Sequence, residues 1–171
     1  GMKKTYFRRV LALTCAVLCG ILLLTSCEEV KPESACKYDE NGNMIEQIMF
    51  DQFGRPAGRS TYEYDEYNRM TVQWDYDEAD NLIQSHRCEY DENGKESRST
   101  TFDAAENVMD VTVFEYDAAG NMIKQSAFDA TGTLSEYFSF EYDDEGQMIR
   151  SAQYDGKGNY LGGSEFEYYG D

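Results

Sequence analysis

Residues 114–123 read Phe-Glu-Tyr-Asp-Ala-Ala-Gly-Asn-Met-Ile, and variants of this stretch return every 26 residues along the chain. Five units begin at Tyr38, Tyr64, Tyr90, Tyr116 and Tyr142. They fill residues 38–167 without an insertion, and a sixth start stands at Tyr168. A fixed period in this range is typical of arrays of identical supersecondary units. It therefore predicts one repeat domain over residues 38–171.

An aromatic residue followed by Asp opens two turns in every unit, as at residues 116–117 and 128–129. In seven of ten such places Gly stands three residues after Asp. Asp at the first position of a type I turn bonds back to the chain, and Gly supplies the left-handed residue that closes a three-residue hairpin loop with a bulge. Turns lie 12 and 14 residues apart in alternation, which leaves room only for strands.

Three turns lack the Gly. Asn68 is an acceptable substitute because Asn tolerates a positive φ angle. Asp80 and Glu106 fit less well, so we expect the following residues, Asn81 and Asn107, to take the left-handed conformation there.

The turn residues also set a strand register. If Asp pairs with the residue after Gly, counting outward places Tyr116 opposite Met122 and Phe128 opposite Leu134. The same count places Met122 opposite Phe140 on its other side.

This register predicts an all-β fold, an antiparallel β-hairpin meander of about ten strands in a single curled or spiralling sheet. The packed face is predicted to carry the repeat aromatics, which are Tyr38, Phe50, Tyr64, Tyr76, Tyr90, Phe102, Tyr116, Phe128, Tyr142 and Tyr154. The opposite, wet face should carry Glu63, Glu89, Glu115, Glu141 and Glu167. Glu96 at a Met position and Pro56 at a Leu position break the pattern. An open sheet with one aromatic face is not stable in water, so we expect it to curl, to self-associate or to bind a partner.

The N-terminus is a separate segment. A basic head, an apolar stretch over residues 10–24 and Leu24-Thr25-Ser26-Cys27 together resemble a bacterial lipoprotein signal peptide with its lipobox. The resemblance implies cleavage after residues 1–26, a lipidated Cys27, a tether over residues 27–37, and a chain held by lipid at the bacterial outer membrane or cell surface. An uncleaved anchor is the alternative, although the apolar stretch is short for a span. Gly1, ahead of Met2, is interpreted as an artificial addition.

The charge of the chain excludes one class of partner. After Cys27 there are 11 basic and 33 acidic residues, a formal charge of −22, and no Lys/Arg stripe. Nucleic acid is therefore not an expected partner. Disorder is the other interpretation of such a composition. The columns of aromatic residues argue against it, because a disordered chain has no reason to keep them.

The repeated motif of residues 114–123 resembles the YD repeats of bacterial Rhs and toxin-complex proteins and of animal teneurins, over nearly the whole mature chain. The resemblance implies β-hairpins, which in that family wind into a hollow shell that encloses a toxic domain in bacterial members. Carbohydrate binding has been suggested for some members. Five units are too few to close such a shell, and no toxin domain is recognised. The hairpin arrays of MORN-type proteins are a poorer match.

Residues that could carry chemistry are few. His86 is the sole histidine and is expected on the surface of a strand, and no nucleophile motif or metal-ligand spacing accompanies it. We therefore expect no enzyme, cofactor or metal site. The turn aspartates match no calcium loop, so capping of turns is favoured over calcium, although loose binding of divalent cations stays open.

Two cysteines of the repeat domain, Cys36 and Cys88, lie two full units apart. Four strand spacings of about 4.8 Å separate them by more than the roughly 7 Å limit between the α-carbons of a disulfide. We therefore predict two thiols that act as small apolar fillers.

Seven aromatic residues lie outside the repeat columns, namely Phe53, Tyr67, Trp74, Tyr137, Phe138, Tyr160 and Tyr169. Exposed aromatics beside carboxylates and amides hold sugars in many proteins. Trp74 with Tyr67 or Tyr137, and Phe138, are the candidate ligand-binding residues. The alternative is that these residues cover turn tips and fill gaps on the packed face.

Two functions follow from this sequence. The first is a lipid-tethered, non-catalytic binding module for a glycan or a surface protein. The second is a structural role, as a spacer or a fragment of a larger Rhs-type shell that acts by self-association. The position of the seven additional aromatics discriminates between them.

Overall fold

The structure is a computed structural model that describes residues 35–168. The expected signal peptide at residues 1–26, the expected lipidation site Cys27 and most of the tether at 27–37 lie outside the described residues, as does Tyr169.

Eleven β-strands make up the described part of the chain. They are β1 (Cys36–Tyr38), β2 (Met44–Phe50), β3 (Pro56–Tyr64), β4 (Met70–Asp77), β5 (Leu82–Tyr90), β6 (Glu96–Asp103), β7 (Val108–Tyr116), β8 (Met122–Asp129), β9 (Leu134–Tyr142), β10 (Met148–Asp155) and β11 (Tyr160–Glu165). They form one antiparallel sheet in the order of the chain. The predicted all-β meander is confirmed, with eleven strands instead of about ten.

The sheet is open. Within residues 35–168, the edge strands β1 and β11 are not hydrogen-bonded to each other, and each strand contacts chiefly its immediate neighbours. Residues 35–168 contain no helix with the length and hydropathy that a transmembrane span requires.

The ten turns between these strands share one hydrogen-bond pattern. At the first turn the Asp39 N–H donates to the Asn43 carbonyl at 2.9 Å, and the Gly42 N–H donates back to the Asp39 carbonyl at 3.1 Å. Oδ1 of Asp39 accepts the N–H groups of Asn41 and Asn43 at 2.9 and 2.8 Å. The predicted role of Asp as a cap is therefore confirmed, because the carboxylate satisfies backbone donors that the hairpin cannot.

The three turns without Gly keep the same geometry. Asn68 has the expected positive φ of 59°. The expectation for Asn81 and Asn107 is wrong, because Asp80 and Glu106 themselves adopt φ angles of 66° and 64°. The Asp cap determines which residue is left-handed. Oδ1 of Asp77 accepts the N–H groups of Ala79 and Asn81, and the residue between them, Asp80, takes the positive φ angle.

The register is correct beside the turns and wrong beyond them. Tyr116 pairs with Met122 and Phe128 with Leu134, as predicted. Met122 does not pair with Phe140, because a bulge between Ala127 and Phe128 shifts the register by one residue. Every hairpin of the sheet contains such a shift near its turn.

These bulges divide the repeat aromatics between two faces. Cross-strand partners share a face, and alternate residues of a strand share a face. Tyr76 pairs with Arg59, which is five residues from Tyr64 on β3 and therefore points to the other side. The front face carries Tyr38, Tyr64, Tyr90, Tyr116 and Tyr142, and the back face carries Phe50, Tyr76, Phe102, Phe128 and Tyr154. The prediction of one packed face is wrong because each extra residue reverses the alternation.

The front-face tyrosines join successive units through their hydroxyl groups. Tyr90 donates to the Met70 carbonyl at 2.5 Å and Tyr116 to the Glu96 carbonyl at 2.8 Å. Equivalent bonds start at Tyr64, Tyr142 and Tyr168 and end 20 residues upstream.

Within residues 35–168, neither face of the sheet is covered by a second layer of secondary structure, and the most buried side chains are mainly small or polar. Among the described residues they are Met44, Ser60, Ser85, Thr100, Thr101, Val111, Phe114, Gln125, Ser126 and Ala152. The glutamates of the predicted wet face are exposed. Cys36 on β1 and Cys88 on β5 are half-buried and not joined by a disulfide, as predicted.

Candidate functional site

The four candidate ligand-binding residues occupy different places on the sheet. Tyr67 lies at the tip of the turn between β3 and β4, with the Arg69 guanidinium 4.9 Å from its ring centre. Trp74 is half-buried on the back face, where it pairs with Ser85.

Tyr137 also lies on the back face, but on β9, and Phe138 lies on the front face. Five strand spacings of about 4.8 Å place Trp74 and Tyr137 roughly 24 Å apart. The structure therefore does not bring the predicted residues together.

One of them belongs to an aromatic cluster of another composition. The rings of Tyr137 and Tyr154 are stacked, with centres 4.7 Å apart and planes inclined by 11°. Tyr160, on the edge strand β11, meets Tyr154 edge to face at 5.7 Å. We call Tyr137, Tyr154 and Tyr160 the tyrosine cluster. Its outermost member, Tyr160, is 59% exposed, so the cluster is open to solvent at the edge of the sheet.

Polar groups surround the tyrosine cluster. The Lys124 ammonium lies 4.9 Å from the centre of the Tyr137 ring, which is a cation–π distance. A Cβ on Gly158, in the turn before β11, would stand 4.0 Å from the Tyr137 hydroxyl. The Tyr160 hydroxyl lies near Gly163 on the edge strand, 3.1 Å from where a Cβ would stand, and such a Cβ would come closer still to the Ser151 carbonyl oxygen. The cluster therefore combines aromatic faces with hydroxyl and ammonium donors.

The sequence contained only part of this site. Tyr160 and Tyr137 were recognised as residues outside the repeat columns, whereas Tyr154 was assigned to the packed column. Their contact depends on the register between β9, β10 and β11, in which Tyr154 pairs with both Tyr137 and Tyr160.

A second cluster, on the front face, is built around Asp75. Its Oδ1 accepts hydrogen bonds from Ser60 Oγ at 2.6 Å and Gln73 Nε2 at 2.8 Å, and its Oδ2 accepts one from Gln84 Nε2 at 3.0 Å. Oδ2 also lies 3.4 Å from Nε2 of His86. Burial acts to raise the pKa of Asp75, but the hydrogen bonds from His86 and the other donors outweigh it and hold the pKa well below its usual value.

His86 extends this cluster across the sheet. The expectation of a surface residue is wrong, because the His86 side chain is only 13% exposed. Its Nδ1 lies 3.1 Å from the Thr101 hydroxyl, which donates to Asp110 Oδ1 at 3.1 Å. The network therefore assigns the Nδ1 hydrogen to the bond with Thr101, because the Thr101 hydroxyl uses its own hydrogen on Asp110.

The hydrogen bonds of this cluster connect strands β3 to β7, and this indicates a structural role for it. The Thr101 hydroxyl is held by Asp110, and both oxygens of Asp75 already accept hydrogen bonds from side chains of the same face. Within residues 35–168, no three His, Cys, Asp or Glu side chains converge as metal ligands would.

Comparisons with known proteins identify no family. No protein-family model and no curated protein sequence matches the chain. Similar solved structures include a porin-like protein from Bacteroides uniformis, with 15% identity over 70% of this chain and 48% of that one and a TM-score of 0.43. A protein of unknown function from Bacteroides fragilis has 14% identity over 74% of this chain and 94% of that one, with a TM-score of 0.39.

The Tc holotoxin pore of Photorhabdus luminescens is also among the similar structures. It has 12% identity over 70% of this chain and 9% of its own, with a TM-score of 0.25. The chain thus spans about half the length of the porin-like protein and a small part of the toxin.

Proposed function

We propose that this chain is a lipid-anchored protein of the bacterial outer membrane or cell surface, and that its repeat sheet is a non-catalytic binding module. The lipobox-like Leu24-Thr25-Ser26-Cys27 supports the anchor, and the formal charge of −22 after Cys27 supports a solvent-exposed module. The recurring Phe-Glu-Tyr-Asp motif and its Asp-capped hairpins support membership of the YD-repeat proteins.

The tyrosine cluster is the observation that carries the binding function. Three rings meet at the sheet edge, and the most exposed of them, Tyr160, lies on the edge strand. Aromatic rings bind the apolar faces of sugars, while nearby hydroxyl and ammonium groups donate hydrogen bonds to sugar hydroxyls. We therefore propose a glycan as the ligand, with a surface protein as the alternative.

A glycan array tests this proposal. The protein should bind a limited set of glycans, and Tyr160→Ala should weaken binding at least tenfold. Tyr67→Ala is a matched control, because Tyr67 is also an exposed tyrosine but lies at a distant turn. Trp74→Ala tests the residue that the sequence favoured, and it should leave binding unchanged. Equal effects of Tyr160→Ala and Tyr67→Ala would contradict the assignment of the site.

A structural role by self-association is the second candidate. The open sheet favours it, because β11 is the last strand of the row within residues 35–168 and an edge strand of this kind can pair with another copy of the chain. Light scattering after size-exclusion chromatography distinguishes the two functions. A stable oligomer without glycan binding would favour the structural role, and a monomer that binds glycans would favour the binding module.

A further inference from the structure

The sixth residue of each unit, counted from its first Tyr, lies beside the turn of the next unit. In the second unit this residue is Arg69, whose Nε and Nη2 both lie 2.7 Å from Oδ2 of Asp65. Its guanidinium carbon stands 4.6 Å from the ring centre of Tyr90, which opens the next unit. Nη1 lies 3.4 Å from where a Cβ on Gly94 would be. Arg69 therefore fills the space between two neighbouring turns.

The third unit repeats this arrangement with a different cation. Its sixth residue is Lys95, whose ammonium lies 5.3 Å from the ring centre of Tyr116. The Lys95 side chain passes close to Gly120 in the next turn. Two successive units thus place a basic side chain over the first tyrosine of the following unit.

The fourth unit has the short Asn121 in this position. Its Nδ2 donates to Asp117 Oδ2 at 3.1 Å, as Arg69 does to Asp65, but the side chain ends there. Within residues 35–168, no Lys or Arg lies over the ring of Tyr142, the next tyrosine. A groove of about 720 Å³ opens between the two turns, lined by Asn121, Tyr142 and Gly146 among others.

The first unit explains why a short residue does not always leave a groove. Asn43 is also short, but its Nδ2 donates to Oδ1 of Asn68 in the next turn at 2.9 Å. Asn68 stands where most turns have Gly. The turn that follows the fourth unit has Gly146 at this position, so Asn121 has no side chain there to which it could donate a hydrogen bond.

The groove is strongly negative. Its lining residues include no Lys or Arg, and five of them are acidic, namely Asp117, Glu141, Asp143, Asp144 and Glu145. Of these, Glu141 is paired with Arg150 at 3.3 Å. Burial raises the pKa of the Tyr142 hydroxyl, and the charge of Asp117 raises it further. A cation in this groove would gain both charge pairing and the face of an aromatic ring.

We propose that this groove binds the side chain of an arginine presented by a partner protein. The chain itself shows the chemistry, since Arg69 and Lys95 occupy the equivalent space in the two preceding units. Arginine is the better fit, because a guanidinium can pair with a carboxylate and lie flat on a tyrosine ring at the same time. This site is distinct from the tyrosine cluster and does not depend on glycan binding.

NMR titration of the 15N-labelled full chain tests the proposal, with the peptide acetyl-Gly-Arg-Gly-amide as the probe. Binding should be weak, with Kd on the order of 1 mM. Backbone shifts should be confined to the turns at residues 117–121 and 143–147. The same peptide with citrulline, which keeps the shape and loses the charge, should bind at least tenfold more weakly.

Asn121→Arg gives a variant that should fold and yet lose the site. The new arginine should occupy the groove as Arg69 does, so that the titration shifts disappear. Asn43→Arg is the matched control, because it adds the same charge at the same repeat position far from the groove. Unchanged binding by Asn121→Arg, equal binding of the citrulline peptide, or shifts spread over both faces would overturn the proposal. Tyr160→Ala should leave this titration intact, so the failure of one site is distinguishable from the failure of the other.

Discussion

The guanidinium of Arg59 lies 4.0 Å from the centre of the Tyr76 ring and binds Oδ1 of Asp80 through Nε at 2.6 Å. Asp80 is one of the three non-Gly residues with positive φ. Arg87 repeats the arrangement with Phe102 and Glu106. An arginine stacked on an aromatic ring thus accompanies both acidic residues in left-handed turn positions.

This relationship predicts different effects of two substitutions at Asp80. Asp80→Gly removes an exposed ion pair worth about 0.2–1 kcal/mol and relieves a left-handed strain of about 1 kcal/mol, so the free energy of unfolding should change little or rise slightly. Asp80→Ala keeps the strain and loses the ion pair, so it should destabilise the protein by about 1 kcal/mol. Urea unfolding measures both. A more stable Asp80→Ala than Asp80→Gly would contradict this account.

Two buried serines predict opposite results for the same substitution. Ser85 is 0% exposed, and its hydroxyl has no hydrogen-bond partner among the described residues. Ser85→Ala should therefore stabilise the protein by about 1 kcal/mol. Ser60 is also buried, but its hydroxyl donates to Asp75, so Ser60→Ala should destabilise by about 1–3 kcal/mol. Thermal unfolding of both variants checks the pair, and effects of one sign would refute the prediction.

The turn carboxylates predict sensitivity to acid. Hydrogen bonds from Asn81 lower the pKa of Asp77, and those from Asn107 lower the pKa of Asp103. A folded-state pKa below the unfolded value of about 3.9 stabilises the fold above that value, and the contribution is lost as pH falls through the folded pKa. The urea concentration at the midpoint of unfolding should therefore decrease as the pH is lowered from about 5 to about 3.

Asn substitutions separate this effect from general charge repulsion. Asp77→Asn and Asp103→Asn keep an oxygen acceptor but remove the titration, so together they should flatten the acid dependence. High salt screens repulsion between exposed charges and should leave the loss in place. If the urea concentration at the midpoint increases on acidification at high salt, ionised Asp side chains do not stabilise the turns.

Glu96 predicts the opposite dependence on pH. Burial raises its pKa, and a hydrogen bond with Cys88 lowers it only in part. A folded-state pKa above the unfolded value contributes stability at low pH, and this contribution is lost as pH rises through the folded pKa. Glu96→Gln should therefore gain stability relative to the native protein between about pH 4 and pH 7. Urea midpoints of both proteins at these two pH values test this, and a constant difference would exclude a titrating Glu96.

Much of the fold was predictable because the turns can be recognised from the sequence. Asp at the first position and Gly at the fourth have a local physical cause, so strand number, order and direction followed from them. The division of aromatics between two faces was not predictable by counting. One extra residue beside each turn reverses the alternation of side chains between the two faces. No residue type in the sequence marks the position of this bulge.

The tyrosine cluster was less accessible than the fold. Tyr160 and Tyr137 are 23 residues apart, and only the shifted register of β9, β10 and β11 brings both beside Tyr154. Asp80 likewise looked like a defect of the turn pattern. Its partner Arg59 lies in an earlier strand, so the compensation becomes visible only when the strands are paired.

The bonds from Tyr64, Tyr90, Tyr116, Tyr142 and Tyr168 to carbonyl groups 20 residues upstream have a consequence for the evolution of the array. Each unit supplies one hydroxyl to the unit before it and one acceptor to the unit after it, so any two units are interchangeable in this respect. A duplication or deletion of a whole 26-residue segment would recreate the same bond at the new junction. A change of any other length would break the bond there, so such arrays can grow and shrink only in whole repeats.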